Sequence, residues 1–529
     1  MLINKTYFLT LILVGTFSIG FFLRICQLEN FPLQINQDEL SNIYDAYSIV
    51  ETGADRWGLK NPVILRAFGE NDYRPPLYTW LAAGSIKIFG YSVFSGRLPS
   101  VILGMLSLLL LYKTSKKIGG SIFSYLTLLI AVLSPWHITM SRLALEAASL
   151  SSFFVILTIY LWIKAKESDF YILNLIYLGL SVGLATNAYQ STKLIFFLIA
   201  IVIFIDIVKS SSNWLKKSSV FILFITLGAL PQLYAVIAMP QFFFSRAADT
   251  MMLFSFSFEY LFILLRNFYL NLSPQYLFSE IGSYNFLTVA RLLTVELPFF
   301  YLGLVLFYWK FKENKSINPI YIYLFIMVSI LPSALTYNNP NALRASCNVI
   351  LFPMISAVGI LAIYDIITNK LLKNLLLGVT IFLLFLNSII NIVKYIKIRE
   401  LAGAGQQNVL VELSKKINLQ KDKYLRIYIE DLGNQPYIYI TSYCDITPKQ
   451  FQDANKKIEK IGWDHFVQLD KYFFLNKEAI LDSINRNKEK SLFILKFKNY
   501  KYDLIDSIEL YDEKLFFYSN TFIVPSIRK

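Results

Sequence analysis

Apolar runs of about 20 residues recur through most of this 529-residue chain, and each is long enough to cross the ~30 Å hydrocarbon core of a bilayer. Inside hydrocarbon a backbone must satisfy its own N–H and C=O groups, so each run has to be a helix. The runs lie near 7–26, 97–113, 120–136, 143–163, 172–187, 193–208, 219–238, 296–309, 319–335, 346–365 and 374–393, which makes about eleven spans. Only 16% of the residues are charged, against about 25% in soluble proteins. The class is therefore integral membrane protein. The first run has no small-residue cleavage site and reads as a retained helix.

The charge balance is +14, with 50 Lys and Arg against 36 Asp and Glu. Much of the excess sits in short loops at 113–117, 164–166, 209–217, 310–315 and 370–373, where it sets topology. No basic domain stands apart from the spans, which excludes nucleic acid as a partner. All five loops fall on one side under this count of spans, and by the positive-inside rule that side is cytoplasmic. The other face then carries 27–95, 137–142, 187–192, 240–294, 337–345 and everything after Lys394. ATP and nucleotide sugars are not available there, so a transfer reaction on that face needs a donor activated beforehand and carried across.

From Lys394 the composition changes to a mixed charged chain. Alternation in Tyr424–Glu430, Tyr437–Ile440 and Leu492–Phe497 predicts strands, and Pro448–Ile461 has helix-like spacing. The expected architecture is an all-α polytopic membrane domain over 1–395 with a small extracytoplasmic α/β domain over 396–529. Gly403 and Gly405 form no phosphate-cradling pattern and read as a flexible joint. Cys26, Cys347 and Cys444, with His137 and His465, fit neither a zinc site nor a disulfide framework.

Candidate chemistry concentrates in the first outer loop. Asp38 and Glu39 are adjacent carboxylates just beyond a span, where an acid can serve as general base toward a hydroxyl or can favour a helix N-terminus. Glu39–Val50 and Pro76–Phe89 predict two helices too short or too polar to span, suited to the interface plane. In Tyr73-Arg74-Pro75-Pro76-Leu77-Tyr78 the prolines fix the backbone. Arg74 there can grip a phosphate or snorkel as an interfacial anchor. Arg142 and Glu146, four apart, are expected to share a helix face. Arg291 with Glu296, and Arg344 after Asn338-Asn339-Pro340-Asn341, would add positive charge for a phosphate.

An Asp-Glu pair early in the first outer loop, followed about 35 residues later by Arg-Pro-Pro-Leu-Tyr, resembles the membrane-embedded GT-C glycosyltransferases. The likeness is to the protein O-mannosyltransferases and aminoarabinose transferases of glycosyltransferase family 39, the dolichyl-phosphate-mannose-transferase-like group. It continues through Gly90–Pro99, Ser134-Pro135-Trp136-His137 and Ser141–Glu146. The resemblance implies a GT-C transmembrane domain in a multi-pass cell-envelope enzyme, in the plasma membrane of a prokaryote, with an extracytoplasmic site. It implies a hexosyl- or pentosyltransferase that takes sugar from a polyprenyl-phosphate donor and inverts the anomeric carbon. Asp38 would be the base, with Glu39 beside it. Arg74, Tyr78, Arg142 and Arg344 would hold the donor phosphate and lipid. Glu146, His137 and Arg291 would support them. The acceptor stays open among lipid, glycan and protein. No cofactor is demanded; an Asp-Glu pair can bind a divalent cation, but an inverting displacement does not require one. A transporter or flippase for a lipid-linked sugar, and an oligosaccharide transferase or polymerase using a diphosphate donor, are the competing classes. A transporter would favour internal repeats and mid-membrane charges, neither of which is evident.

Overall fold

A computed structural model describes residues 5–31, 35–69, 72–240, 243, 250–279, 290–314, 317–401, 405–433, 435–461, 463–486, 489–498, 503–510 and 513–519. Each of the eleven apolar runs falls mostly on helix, the fourth only from Ser149 onward. Helix α1 spans Lys5–Ile25, and α2 (Gln37–Thr52) and α3 (Leu77–Phe89) lie in the first polar segment around a two-stranded antiparallel hairpin, β1 (Leu65–Gly69) with β2 (Asp72–Arg74). There follow α4 (Val93–Leu133), α5 (Pro135–Met140), α6 (Ser149–Glu167), α7 (Ile172–Ala185), α8 (Gln190–Ser210), α9 (Trp214–Gly228) and α10 (Leu230–Ala238). Then come α11 (Phe258–Leu272), α12 (Pro274–Phe278), α13 (Leu297–Phe311), α14 (Ile320–Ala334), α15 (Phe352–Ile366) and α16 (Lys370–Leu401).

Among the described residues, five helices are long and apolar enough to cross a membrane, or six if α9 and α10, bent by 66°, form one span. The 41 residues of α4 would extend about 60 Å as one straight helix, twice a bilayer core. They are instead divided at Gly120, whose φ of +76° is left-handed, a conformation that suits glycine. The two runs predicted at 97–113 and 120–136 thus form a pair of helices joined by a tight break.

The basic loops meet at one end of the bundle. Lys117 pairs with Glu167, Lys217 with Asp169 and Lys310 with Asp365. Asn314 also donates to the Ile118 carbonyl. Small residues let the helices approach closely. A Cβ placed on Gly303 of α13 would sit 1.9 Å from the Ile355 carbonyl oxygen of α15, and one on Gly359 of α15 would sit 1.9 Å from the Phe299 oxygen. Gly359→Val should therefore force these backbones apart and destabilise the fold by about 3 kcal/mol, the upper range for overpacking. Thermal unfolding in detergent reads this, and an unchanged midpoint would contradict it.

Helix α2 does not lie in the interface plane as expected, because it is enclosed by protein. Residues 39–46 of α2 are continuously buried, enclosed by α3, α4 and the C-terminal region. Helix α3 keeps an exposed apolar side, at Trp80, Leu81, Ile88 and Phe89.

Beyond α16 the chain builds helix α17 (Gly405–Asn418) and a seven-stranded mixed sheet. Gly405 opens that helix, and Gly403 lies outside the described residues. The strands are β3 (Arg426–Glu430), β4 (Lys456–Ile461), β5 (Trp463–Leu469), β6 (Tyr472–Leu475), β7 (Ser491–Leu495), β8 (Asp503–Leu510) and β9 (Glu513–Ser519), in the order β4-β5-β6-β3-β7-β9-β8. β3 runs parallel to both β6 and β7, and the other pairings are antiparallel. Helices α18 (Pro436–Tyr443), α19 (Pro448–Asp453) and α20 (Lys477–Arg486) complete the region.

Two expectations fail here. Tyr437–Ile440 is helix, not strand: Pro436 starts it, and all four residues are buried, so the alternation of ring and aliphatic chain marked no solvent face. Within 448–461 only the first six residues are helical. Lys456–Ile461 form β4, a charged edge strand whose lysines discourage further pairing.

Candidate active site

A cavity of about 520 Å³ opens where α2, β2, the 141–148 turn, α8 and the 336–345 loop converge, at the end of the bundle away from the basic loops. Asp38, Arg74, Glu146, Lys193 and Arg344 line it. Four of these were expected from the sequence.

Asp38 sits in the first turn of α2, where the helix dipole favours a carboxylate. The capping role falls to Asn36, whose side chain accepts from Glu39 N at 2.7 Å. Arg74 is held from behind. Its Nη2 donates to Ser41 Oγ (2.7 Å) and Asp45 (3.3 Å), and its Nη1 donates to the Asp38 carbonyl (3.3 Å). Its buried Nε has no partner among the described residues. Glu146 accepts from Asn42 Nδ2 at 2.8 Å, and Thr79 steadies that amide at 3.3 Å. Arg344 stands on a loop fixed by hydrogen bonds from Asn341 N to Ser333 Oγ (2.9 Å) and from Arg344 N to Asn341 Oδ1 (3.1 Å).

Lys193 was missed by the sequence reading. Its ammonium is buried 3.8 Å from the centre of the Phe243 ring and has no hydrogen-bond partner among the described residues. The signal was present: one ionisable residue at the edge of an otherwise apolar span calls for a functional explanation.

Five expected site residues do not line the cavity, and each has a structural task. Glu39 forms a buried bidentate pair with Arg97, Nε–Oε1 2.6 Å and Nη2–Oε2 3.0 Å, and also accepts from Ala144 N at 2.9 Å. Tyr78 is fully buried and donates to the Gly96 carbonyl at 2.8 Å; burial pushes its hydroxyl well above the usual phenol range, which keeps it a donor. Arg142 caps the end of α1, donating to the carbonyls of Leu23 (2.9 Å), Cys26 (2.8 Å) and Phe31 (3.0 Å). Guanidinium at a helix C-terminus satisfies orphan carbonyls and complements the dipole.

His137 accepts from Arg24 Nη2 through Nδ1 at 2.9 Å, which assigns its ring proton to Nε2. Arg291 is buried with its guanidinium 4.5 Å from the Tyr276 ring centre, and no ion pair joins it to Glu296 among the described residues. Arg142 and Glu146 share no helix face either, because residues 141–148 form a turn between α5 and α6. Among the described residues no group of three or more His, Cys, Asp or Glu side chains is placed to hold a metal ion.

This fold is shared with two solved structures. The structure superposes on ArnT from Cupriavidus metallidurans bound to undecaprenyl phosphate with a TM-score of 0.58 and 9% identity, over 97% of this chain and 98% of that one. It also matches the Archaeoglobus fulgidus oligosaccharyltransferase, with a TM-score of 0.52 and 11% identity, over 83% of this chain and 64% of that one. Residues 73–238 match the family model described as dolichyl-phosphate-mannose-protein mannosyltransferase. No curated protein sequence matches at a significant level.

Proposed function

We propose that the protein is an inverting glycosyltransferase that moves one sugar from a polyprenyl-phosphate donor to an acceptor hydroxyl. The observation that carries this reading is a single cavity in a GT-C fold holding Asp38 together with three basic side chains, Arg74, Lys193 and Arg344. Asp38 takes the proton of the acceptor hydroxyl. The oxygen then bonds to the anomeric carbon from the face opposite the phosphate. The bond from that carbon to the phosphate oxygen breaks, and the lipid phosphate departs with the electron pair. A phosphate is a good leaving group that needs cations rather than an acid, so one carboxylate suffices as base where a retaining enzyme needs a nucleophile and an acid. The scheme uses no metal step.

The cavity is assigned to the outer face of a prokaryotic plasma membrane. The basic loops gather at the opposite end, which the positive-inside rule places in the cytoplasm. Glu146, steadied by Asn42, is assigned to a sugar hydroxyl.

The test is transfer from a radiolabelled polyprenyl-phosphate hexose in proteoliposomes, beside the matching diphosphate donor. Turnover of the diphosphate alone would favour an oligosaccharide transferase. Movement of lipid-linked sugar across the bilayer without transfer would favour a flippase. Hydrogen bonds to charged groups contribute about 1.5–3 kcal/mol, so Lys193→Ala and Arg344→Ala should each raise the donor KM roughly tenfold or more. If either leaves the donor KM and kcat unchanged, that residue is not a phosphate ligand.

A further inference from the structure

Asp45 lies seven positions after Asp38 on α2, two helical turns along the same face. Its carboxylate is fully buried and serves two arginines at once. Oδ2 accepts from Nη2 of Arg74 at 3.3 Å and from Nη1 of Arg56, while Oδ1 accepts from the Arg56 backbone N–H at 3.2 Å. Arg74 faces the cavity. Arg56 faces the other way, between the rings of Trp57 and Phe68, each 5.4 Å from its guanidinium carbon, and its Nη2 donates to the Ala67 carbonyl.

Beyond Arg56 begins the C-terminal region. Tyr437 of α18 is fully buried and stacks on Phe466 of β5 with ring centres 3.8 Å apart. Its ring packs edge-on against Phe68, one of the two rings that hold Arg56. The same region grips the catalytic segment at four further points. Arg66 pairs with Asp464 at 2.6 Å. Tyr439 donates to the Ile35 carbonyl just ahead of α2, at 3.0 Å. Tyr44 of α2 donates to the Ile446 carbonyl at 2.8 Å. Gln452 reaches Thr52 Oγ1 and the Asp55 carbonyl at the far end of α2, at 3.1 and 2.9 Å.

We infer that Asp45 is a positioning residue for Arg74, and that Arg56 and the Tyr437–Phe466 stack hold Asp45 in place, so that the C-terminal region is a working part of the cavity. An arginine cannot shed its proton, so Asp45 sets a buried carboxylate between two permanent guanidinium charges, and Arg74 reaches from it to the cavity wall. Removing the carboxylate would set two like charges against each other in a buried site, and Arg74 would lose the anchor that aims it. This inference rests on the reading of Arg74 as a phosphate ligand.

The test uses undecaprenyl phosphate as probe, titrated against the purified full chain in detergent, with folding of every variant checked by thermal unfolding. Arg74→Ala should weaken binding at least tenfold, and Asp45→Asn should do nearly the same. The combined variant should bind no worse than Arg74→Ala alone, because Asp45 acts only through Arg74. Asp45→Glu, which keeps the charge, should recover part of the affinity. Phe466→Ala should weaken binding severalfold in the natural chain and have no further effect once Arg74 is Ala. Where Asp45→Asn does not fold, Asp45→Asn with Arg56→Gln removes both buried charges together and takes its place. Losses that simply add overturn the positioning role while the phosphate reading stands. Unchanged binding by Arg74→Ala overturns both.

Discussion

Asp38→Asn should reduce the proposed sugar transfer by about 10³-fold, within the range general-base catalysis contributes, in a protein that still folds and inserts. The substitution keeps the shape of the side chain and removes its basicity. It disturbs no cap, because Asn36 supplies the hydrogen bond that closes the helix start. It also spares the link to Arg74, which runs through the Asp38 backbone carbonyl. Donor binding should therefore persist while kcat collapses. The informative pair of measurements is single-turnover transfer and undecaprenyl-phosphate affinity on one preparation. Loss of both together would mean that Asp38 organises the cavity and is not its base. Full transfer activity would remove the proposed mechanism altogether.

Much of the frame was legible in the sequence because a bilayer imposes a length on every apolar run and a charge on the loops between. The break at Gly120 could be read from the basic cluster 113–117 followed by two glycines. What could not be read is pairing across distance. Nothing local in the sequence joins Glu39 to Arg97, which are 58 positions apart, or Arg66 to Asp464, which are 398 apart. Helical spacing misled at Arg142 and Glu146, because the turn after α5 brings Glu146 to the cavity and leaves Arg142 at the end of α1. Strand-like alternation misled at Tyr437–Ile440, because both kinds of side chain there are buried. Charged residues near a membrane surface could each have been ligand or scaffold. Only the cavity wall separates Asp38, Arg74, Glu146 and Arg344 from Glu39, Tyr78, Arg142, His137 and Arg291.

That separation makes Glu39 the sharpest contrast with its neighbour. Glu39→Ala leaves the Arg97 guanidinium buried with no carboxylate, and breaking one side of a buried ion pair costs about 3–5 kcal/mol. It also strips the acceptor from Ala144 N–H, and an unsatisfied buried donor adds about 1–3 kcal/mol. Together these approach the whole stability of a typical domain, so Glu39→Ala should yield little folded protein. Replacing both partners, Glu39→Leu with Arg97→Met, removes the stranded charge, and such exchanges are often close to neutral. The double variant should regain most of the lost folded yield. Its transfer rate per folded molecule should fall far less than that of Asp38→Asn, because Glu39 reaches α4 and not the cavity. Thermal unfolding of all three proteins, read beside transfer normalised to folded protein, decides the matter. A stable but inactive Glu39→Ala would return this residue to the chemistry, whereas an unstable single variant rescued by its partner fixes it as the bolt between α2 and α4.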